Sequence, residues 1–257
     1  MKRKNLTLAA LCVPVCIILN ACSSQPAQRE VHSAAFEPGQ LVQSDTNRFA
    51  NLVMRDNLDG LEILLEKLYR RNPAMWKRRM QPNLEAARVE VMTAIREGQP
   101  LANLGDARGT EAIRRALSPE FEGDRAGAYI YGLGSMLVDA WGGHLNLSLV
   151  HGLDAQRVAN AAHNTMVAAW LLSERRDETE QPLLLSNEIS SAGRNLSFER
   201  EHGKIIGRLD TLAAVVDEKY RRTIIGYIQS LAGGQLLQFL PLDAAAAAAT
   251  ATTATGN

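Results

Sequence analysis

The chain has 257 residues, of which 46% are hydrophobic, 22% are charged and 5% are aromatic. This composition excludes a disordered chain, a collagen-like fibre and a disulfide scaffold, and it indicates a globular protein with a sizeable core. Lysine plus arginine equals aspartate plus glutamate at 28 each, so net charge gives no reason to expect nucleic acid as a partner.

The first 21 residues have the layout of a secretory signal peptide. Basic residues at 2–4 precede a stretch from Leu6 to Leu19 that contains no acid. The stretch is shorter than the roughly 20 apolar residues that a bilayer span needs. It ends in Leu19-Asn20-Ala21-Cys22, which resembles the lipobox of bacterial lipoproteins.

This resemblance implies that the chain is cleaved before Cys22 and that this cysteine carries palmitate-type acyl chains. Two or three chains give durable attachment, whereas one gives marginal binding. Ser23 follows where an aspartate would signal inner-membrane retention, so the expected location is the periplasmic face of the outer membrane. The alternatives are an ordinary signal peptide with an incidental cysteine, or an uncleaved amino-terminal helix.

Cysteine usage agrees with this predicted location. Cys12 and Cys16 lie in the segment to be removed, which leaves Cys22 alone in the mature chain and excludes a disulfide within it. Cleavage also removes three cations, so 25 cations remain against 28 acids.

Composition divides the chain into a signal peptide at 1–21, a flexible Ser/Gln/Ala/Pro tether at 22–45, a helical periplasmic domain at 46–243 and a disordered Ala/Thr tail at 244–257. The predicted fold class is mainly α, a single bundle-like domain with a long C-terminal helix and one short two-stranded ribbon. Periodicity and capping residues predict helices from Asn47 to Asn72-Pro73, from Pro82 to Gly98, from a start at Ser118-Pro119-Glu120, over 126–143, and from Asp154 to about Leu172.

The longest predicted helix begins near Ser197. A heptad seam is formed by Phe198, His202, Ile205, Leu209, Leu212 and Val216. It continues less regularly through Tyr220, Ile224, Ile228 and Leu231, with a break at Gly233-Gly234. The stretch from Thr223 to Leu242 has no charge, and its three glutamines favour a buried helix over a second membrane span. Alternating leucines at 145–149 and the run at 183–185 predict the two strands of the ribbon.

Candidate chemistry is sparse. On the 126–143 helix, Asp139 shares a face with small residues, so it is expected near a helix contact, either as a proton-handling acid or as the partner of an arginine. His144, His151 and His163 are possible bases, although their spacing fits no zinc signature. A Glu199–His202 pair resembles half of a di-iron motif, but the chain has only one such pair. No metal and no cofactor are predicted.

A basic cluster surrounds Trp76. It consists of Lys67, Arg70, Arg71, Lys77, Arg78 and Arg79. Next to a tether it is a candidate membrane-facing surface for anionic headgroups. The alternative is a solvated helix end whose cations favour the carboxyl terminus of the helix dipole.

Four segments of the body are similar to a poorly characterised family of proteobacterial lipoproteins: 65–73 (LEKLYRRNP), 121–137 (FEGDRAGAYIYGLGSML), 183–188 (LLLSNE) and 195–204 (NLSFEREHGK). The resemblance implies a lipid-anchored location in the envelope and implies no particular biochemical activity. The sequence therefore favours a non-enzymatic envelope lipoprotein that supports the envelope or an unknown protein partner. The alternatives are an envelope hydrolase using Asp139 with a nearby histidine, and a lipid-binding or shuttling module with an apolar cavity between the 126–143 helix and the last helix.

Overall fold

A computed structural model describes residues 41, 43–190 and 193–239, and this part of the chain is mainly α. Seven helices and one two-stranded sheet lie within it. Their bounds are α1 Asp45–Arg71, α2 Pro73–Lys77, α3 Leu84–Glu97, α4 Gly109–Ala116, α5 Arg125–Ala140, α6 Ala155–Glu174, β1 Glu188–Ser190, β2 Gly193–Asn195 and α7 Ser197–Phe239. All of these elements belong to one compact unit, Gly39–Asn257.

The predicted signal peptide, Cys22, most of the tether and all of the tail lie outside the described residues. The predicted helix bounds after them are largely confirmed. Ser44 caps α1, which ends before Asn72-Pro73, and α3 ends at Gly98, whose φ of 67° suits glycine. Asp154 caps α6 as predicted. Within the described residues, no helix is both long and apolar enough to cross a membrane.

Helix α5 is the centre of the body. Every residue in it except Asp139 is buried, and it packs on α1, α2, α3, α4 and α6. A helix that is apolar or small on all sides is stable only when neighbours surround it. The sequence of α5 has this character, with glycines on the sides where neighbours come closest.

The small face of α5 does bring a neighbour close. A Cβ placed on Gly132 would lie 2.9 Å from the carbonyl oxygen of Gly109 and 2.9 Å from the amide nitrogen of Ile113 on α4. The Gly109 amide also donates to Ser135 Oγ at 2.8 Å. The predicted close approach is confirmed, and the neighbour is α4, a short helix that sequence periodicity did not predict.

The heptad seam of α7 is confirmed over 198–216, where all six side chains are buried against α1 and α6. The predicted buried continuation is wrong, because every residue from Arg221 to Leu231 is exposed. The predicted break at Gly233-Gly234 is also wrong, since α7 continues to Phe239. The reason is that α1 runs antiparallel to α7 and begins at the level of Lys219 and Tyr220, so α7 extends past the end of the bundle.

The ribbon exists, but its predicted strands are wrong. It is formed by β1 and β2, with Glu188 opposite Asn195. The two leucine stretches are held by asparagine side chains instead. Asn51 accepts from the Leu147 amide at 2.7 Å and donates to its carbonyl oxygen at 3.0 Å, and Asn72 makes the same pair of bonds with Leu185 at 2.8 and 2.9 Å. Each asparagine side chain satisfies the backbone N–H and C=O of one leucine in these stretches.

The predicted helix start at Ser118-Pro119-Glu120 is wrong as well. These residues form the turn after α4, where the Ser118 hydroxyl bonds the Glu120 carboxylate. The helix begins later, at Arg125, and its N-cap is Asp124, which accepts from the Gly127 amide at 2.9 Å.

Candidate functional site

The four catalytic candidates do not share one contact cluster. Asp139 is 57% exposed and its nearest cation is Arg108, at 3.6 Å between Oδ1 and Nη2. The expectation that Asp139 lies in a buried helix contact is wrong, because it is the one residue of α5 that faces solvent. The arginine-paired alternative describes its geometry. His163 is exposed on α6, away from the buried side of that helix.

Two histidines do come together. The rings of His144 and His151 lie 4.1 Å apart between centroids. Their loop is held on α1, where Asn47 donates to the Ser148 and His151 carbonyl oxygens at 2.5 and 3.2 Å. The structure therefore confirms proximity for this pair only.

Ser148 lies beside this pair, with its hydroxyl 3.1 Å from His151 Nδ1. A nucleophile and base at this distance are the starting point for acyl transfer. However, the Ser148 backbone amide donates to the same nitrogen at 3.0 Å. An imidazole nitrogen has one acceptor lone pair, so this bond competes with the activation of the hydroxyl. The arrangement is typical of a locally folded turn.

The Glu199–His202 pair also serves the fold. His202 is buried, with Nδ1 2.9 Å from the Phe198 carbonyl oxygen and Nε2 2.9 Å from the hydroxyl of Tyr129 on α5. Nδ1 therefore donates and Nε2 accepts, which is the neutral imidazole. Burial lowers the pKa of His202 below its usual value. Glu199 lies apart, with its backbone amide bonded to the side chain of Asn187 at 3.2 Å.

The basic cluster divides into one buried residue and five that are more exposed. Arg79 has a side chain only 3% exposed, so the expectation that it faces a membrane is wrong for this residue. The others have the following contacts: Lys67 with the Ser197 carbonyl at 3.3 Å, Arg70 with Glu66 at 2.7 Å, Arg71 with Glu188 at 2.9 Å, Arg78 with the Glu122 carbonyl at 2.7 Å, and Lys77 over the Trp76 ring at 5.8 Å. Most of the cluster therefore ties neighbouring segments together.

Arg79 belongs to a polar network that links α1, α3 and the start of α5. Tyr69 donates to Asp124 Oδ2 at 2.5 Å, and Arg79 Nη1 lies 3.7 Å from the same oxygen. The Nε of Arg79 donates to Glu90 at 3.0 Å, and Gln81 donates to the same carboxylate at 2.9 Å. The network runs from the partly exposed Glu90 to the buried Asp124.

Burial dominates the proton affinities in this network. Desolvation raises the pKa of Asp124 above its usual value, although the Gly127 amide, the Tyr69 hydroxyl and Arg79 oppose that rise. Desolvation and the adjacent Asp124 carboxylate raise the pKa of Tyr69 far above its usual value, so Tyr69 remains a donor. The network therefore ties α1, α3 and the start of α5 together through hydrogen bonds and ion pairs.

A second buried cation completes the same corner. Arg125 donates to the carbonyl oxygens of Ala116 and Phe121, each at 2.8 Å, and to that of Ser118. The Ala116 carbonyl lies at the end of α4 and has no partner within that helix, so Arg125 supplies its hydrogen bond. Burial lowers the pKa of Arg125, whose partners here are backbone dipoles.

Two open grooves flank α7. One, of about 780 Å³, lies between the start of α6 and α7, with Asp154, Asp217 and Tyr220 at its edges. The other, of about 550 Å³, lies between α1 and α7 and is lined by Phe49, Leu52 and the two glycines 203 and 207. In the part of the chain that the structure describes, no three His, Cys, Asp or Glu side chains are grouped so that they could hold a metal ion.

Comparison of the chain with protein families, with curated proteins and with solved structures finds no match. The resemblance of the body to a lipoprotein family therefore stays a prediction.

Sequence reasoning missed the residues that carry the polar interior. Asp124 followed by Arg-Ala-Gly is an N-cap pattern that was available in the sequence. In the sequence, Tyr69 stands out only as an aromatic interleaved with the basic cluster around Trp76, and Arg79 only as one of its cations. Their connection to Asp124 depends on tertiary contacts that no local pattern contains.

Proposed function

We propose that this protein is a lipid-anchored envelope lipoprotein with a non-enzymatic, structural or partner-binding role at the periplasmic face of the outer membrane. The observation that carries the proposal is Leu19-Asn20-Ala21-Cys22 at the end of a basic and apolar amino-terminal segment. Acylation of Cys22 fixes the chain to the membrane by a bond that needs no transmembrane helix.

The length of the tether supports a body held close to the membrane. The segment 23–44 spans at most about 75 Å when fully extended. The composition of this segment predicts a flexible coil, for which a root-mean-square end-to-end distance of about 26 Å is expected. The folded body begins at Ser44, the cap of α1, so it remains within reach of the bilayer and of other envelope proteins.

The geometry favours the non-enzymatic alternative over a hydrolase. A hydrolase that uses Asp139 needs this carboxylate beside a histidine, whereas Asp139 contacts Arg108 and His144 contacts His151. It also disfavours a lipid-shuttling cavity between α5 and α7, because the Tyr129 hydroxyl and His202 meet there at 2.9 Å.

A partner-binding role has a candidate surface on α6. Met166, Val167 and Trp170 are large apolar side chains, and Trp170 is 60% exposed. Met166 and Trp170 lie one turn apart and form one face. Exposed Trp and Met are typical of protein interfaces, where they supply apolar contact area.

The test is Cys22→Ala, with Cys16→Ala as the matched control, expressed in a Gram-negative bacterium with metabolic labelling by an alkyne fatty acid. We expect Cys22→Ala to take up no label and to accumulate as an unprocessed precursor. Cys16→Ala keeps the lipobox and should label and mature as the wild type does. Equal labelling of the two variants would contradict the proposal, and so would normal maturation of Cys22→Ala.

A further inference from the structure

Residues 224–231 of α7 present large apolar side chains to solvent. We call residues 223–239 the apolar extension. Five large side chains in its first half, Ile224, Ile225, Tyr227, Ile228 and Leu231, are 38–65% exposed. No residue of the extension is charged. Contiguous exposed apolar surface of this kind marks an interaction site.

The side chains follow a helical stripe. Ile224, Tyr227, Ile228 and Leu231 recur at spacings of 3 and 4, which places them on one face. The opposite face carries Gly226, Gln229 and Ser230, which are polar or small and uncharged. Residues 223–231 are therefore amphipathic, with no charge on either face.

The extension lies at the end of the body where the chain enters it. Lys67, near the end of α1, contacts Ser197 at the start of α7, and Arg208 contacts Asn57 half-way along. The two helices are thus antiparallel, and the beginning of α1 lies beside Lys219 and Tyr220. From there α7 continues for about 29 Å.

Cations mark the base of the extension. Lys219, Arg221 and Arg222 come directly before the uncharged stretch, and all three are exposed. Arg221 pairs with Glu218 at 2.6 Å, and the exposed Asp217 also lies here, so residues 217–222 carry three cations against two acids. Basic residues at the start of an apolar helical face suit an anionic membrane surface, where each contributes about 1 kcal/mol to attraction. In a parallel pair of chains, the same cations would face one another and repel.

We propose that the apolar extension docks on the anionic phospholipid bilayer to which Cys22 is anchored, with its apolar face at the depth of the headgroups and the upper acyl chains. Gln229 and Ser230 keep it at the interface. This inference rests on the proposed anchorage for its location in the cell. The affinity of the extension for lipid does not depend on acylation.

The test measures the lipid affinity of the extension separately from the anchorage through Cys22. The chain from residue 22 with Cys22→Ser carries no acyl group, and its flotation with phosphatidylglycerol/phosphatidylethanolamine vesicles measures the affinity of the folded body alone. We expect it to bind these vesicles and to bind pure phosphatidylcholine vesicles at least tenfold more weakly. Ile224→Glu with Ile228→Glu should reduce binding to the anionic vesicles at least tenfold. Lys219→Gln with Arg222→Gln should reduce it and flatten its salt dependence.

The matched control is Ile63→Glu with Val89→Glu, two exposed apolar residues on α1 and α3. This variant should bind as the parent does, and circular dichroism should show the same helix content for all. Absence of vesicle binding by the parent would overturn the inference, as would equal loss in the control. A lipid-free dimer that Ile224→Glu with Ile228→Glu dissociates would overturn it in favour of self-association. An unmodified Cys22 together with vesicle binding would refute only the anchorage.

Discussion

Asp124 stabilises the fold through two contacts that can be separated by mutation. Its carboxylate caps α5 through the Gly127 amide at 2.9 Å and accepts from the buried Tyr69 hydroxyl at 2.5 Å. Asp124→Ala removes the cap, at about 1 kcal/mol, and leaves the Tyr69 hydroxyl unpaired away from water, at about 1–3 kcal/mol. We therefore expect a loss of about 2–4 kcal/mol in the free energy of unfolding, or about 5–15 °C in Tm.

The matched control is Asp154→Ala. Asp154 caps α6 through the Gln156 and Arg157 amides at 2.8 and 3.2 Å, but it is exposed and has no buried partner. Its loss should cost about 1 kcal/mol. Urea unfolding of both variants at pH 7 gives the two values. Tyr69→Phe should relieve part of the cost in the Asp124→Ala background, because it removes the unpaired hydroxyl. Equal losses for the two aspartates, or strict additivity with Tyr69→Phe, would refute the reasoning.

Two further predictions concern packing and pH. Gly132→Ala should destabilise the protein by about 1–3 kcal/mol, because its Cβ meets backbone atoms of α4, whereas Gly207→Ala, in open space on α7, should stabilise it by up to about 1 kcal/mol. Burial holds the pKa of His202 below that of the unfolded chain, so this histidine contributes stability above about pH 6.5 that is lost as the pH falls. The unfolding free energy of the wild type should thus fall more steeply from pH 7 to pH 5 than that of His202→Asn, by at most about 1.4 kcal/mol per pH unit.

Each of these has a simple check by denaturant titration. Similar changes for the two glycines would show that α4 moves freely away from α5. For the histidine, a His202→Asn slope equal to that of the wild type would show that His202 does not titrate as its burial requires.

Sequence periodicity predicted the helices that carry long apolar faces. The seam from Phe198 to Val216 is an example. Its six positions at heptad spacing, five of them apolar, determine which face of α7 packs on the bundle. The cap predicted at Asp154 is the N-cap of α6, and the starts predicted at Asn47 and after Pro82 lie within two residues of those found. These signals are local, and the chain segment alone contains them.

Several of the errors depend on contacts between distant segments. The leucines at 145–149 lie in a segment of bends and turns, and Leu147 bonds the side chain of Asn51, which no strand pattern contains. The uncharged end of α7 has the composition of a buried helix, yet it is exposed because α1 begins only beside Tyr220. Asp139 shares a face with small residues, but α4 covers that face only as far as Ser135 and Met136.

The polar interior was the least predictable part. Asp124, Tyr69 and Arg79 come from three separate segments. In its own segment, Asp124 is typical of a loop acid, Tyr69 of an aromatic residue on a helix, and Arg79 of a surface cation. Only the folded chain shows that they form one network. For the same reason, Arg79 was expected on a surface that it does not reach.

The central claim is that acyl chains at Cys22 hold this helical body at a membrane. Tandem mass spectrometry of the amino-terminal peptide from protein extracted from envelopes tests it most directly. The account predicts a mature chain whose first residue is Cys22, with a diacylglyceryl group on its sulfur. A free thiol at this position, or a mature chain that begins at any other residue, would contradict it.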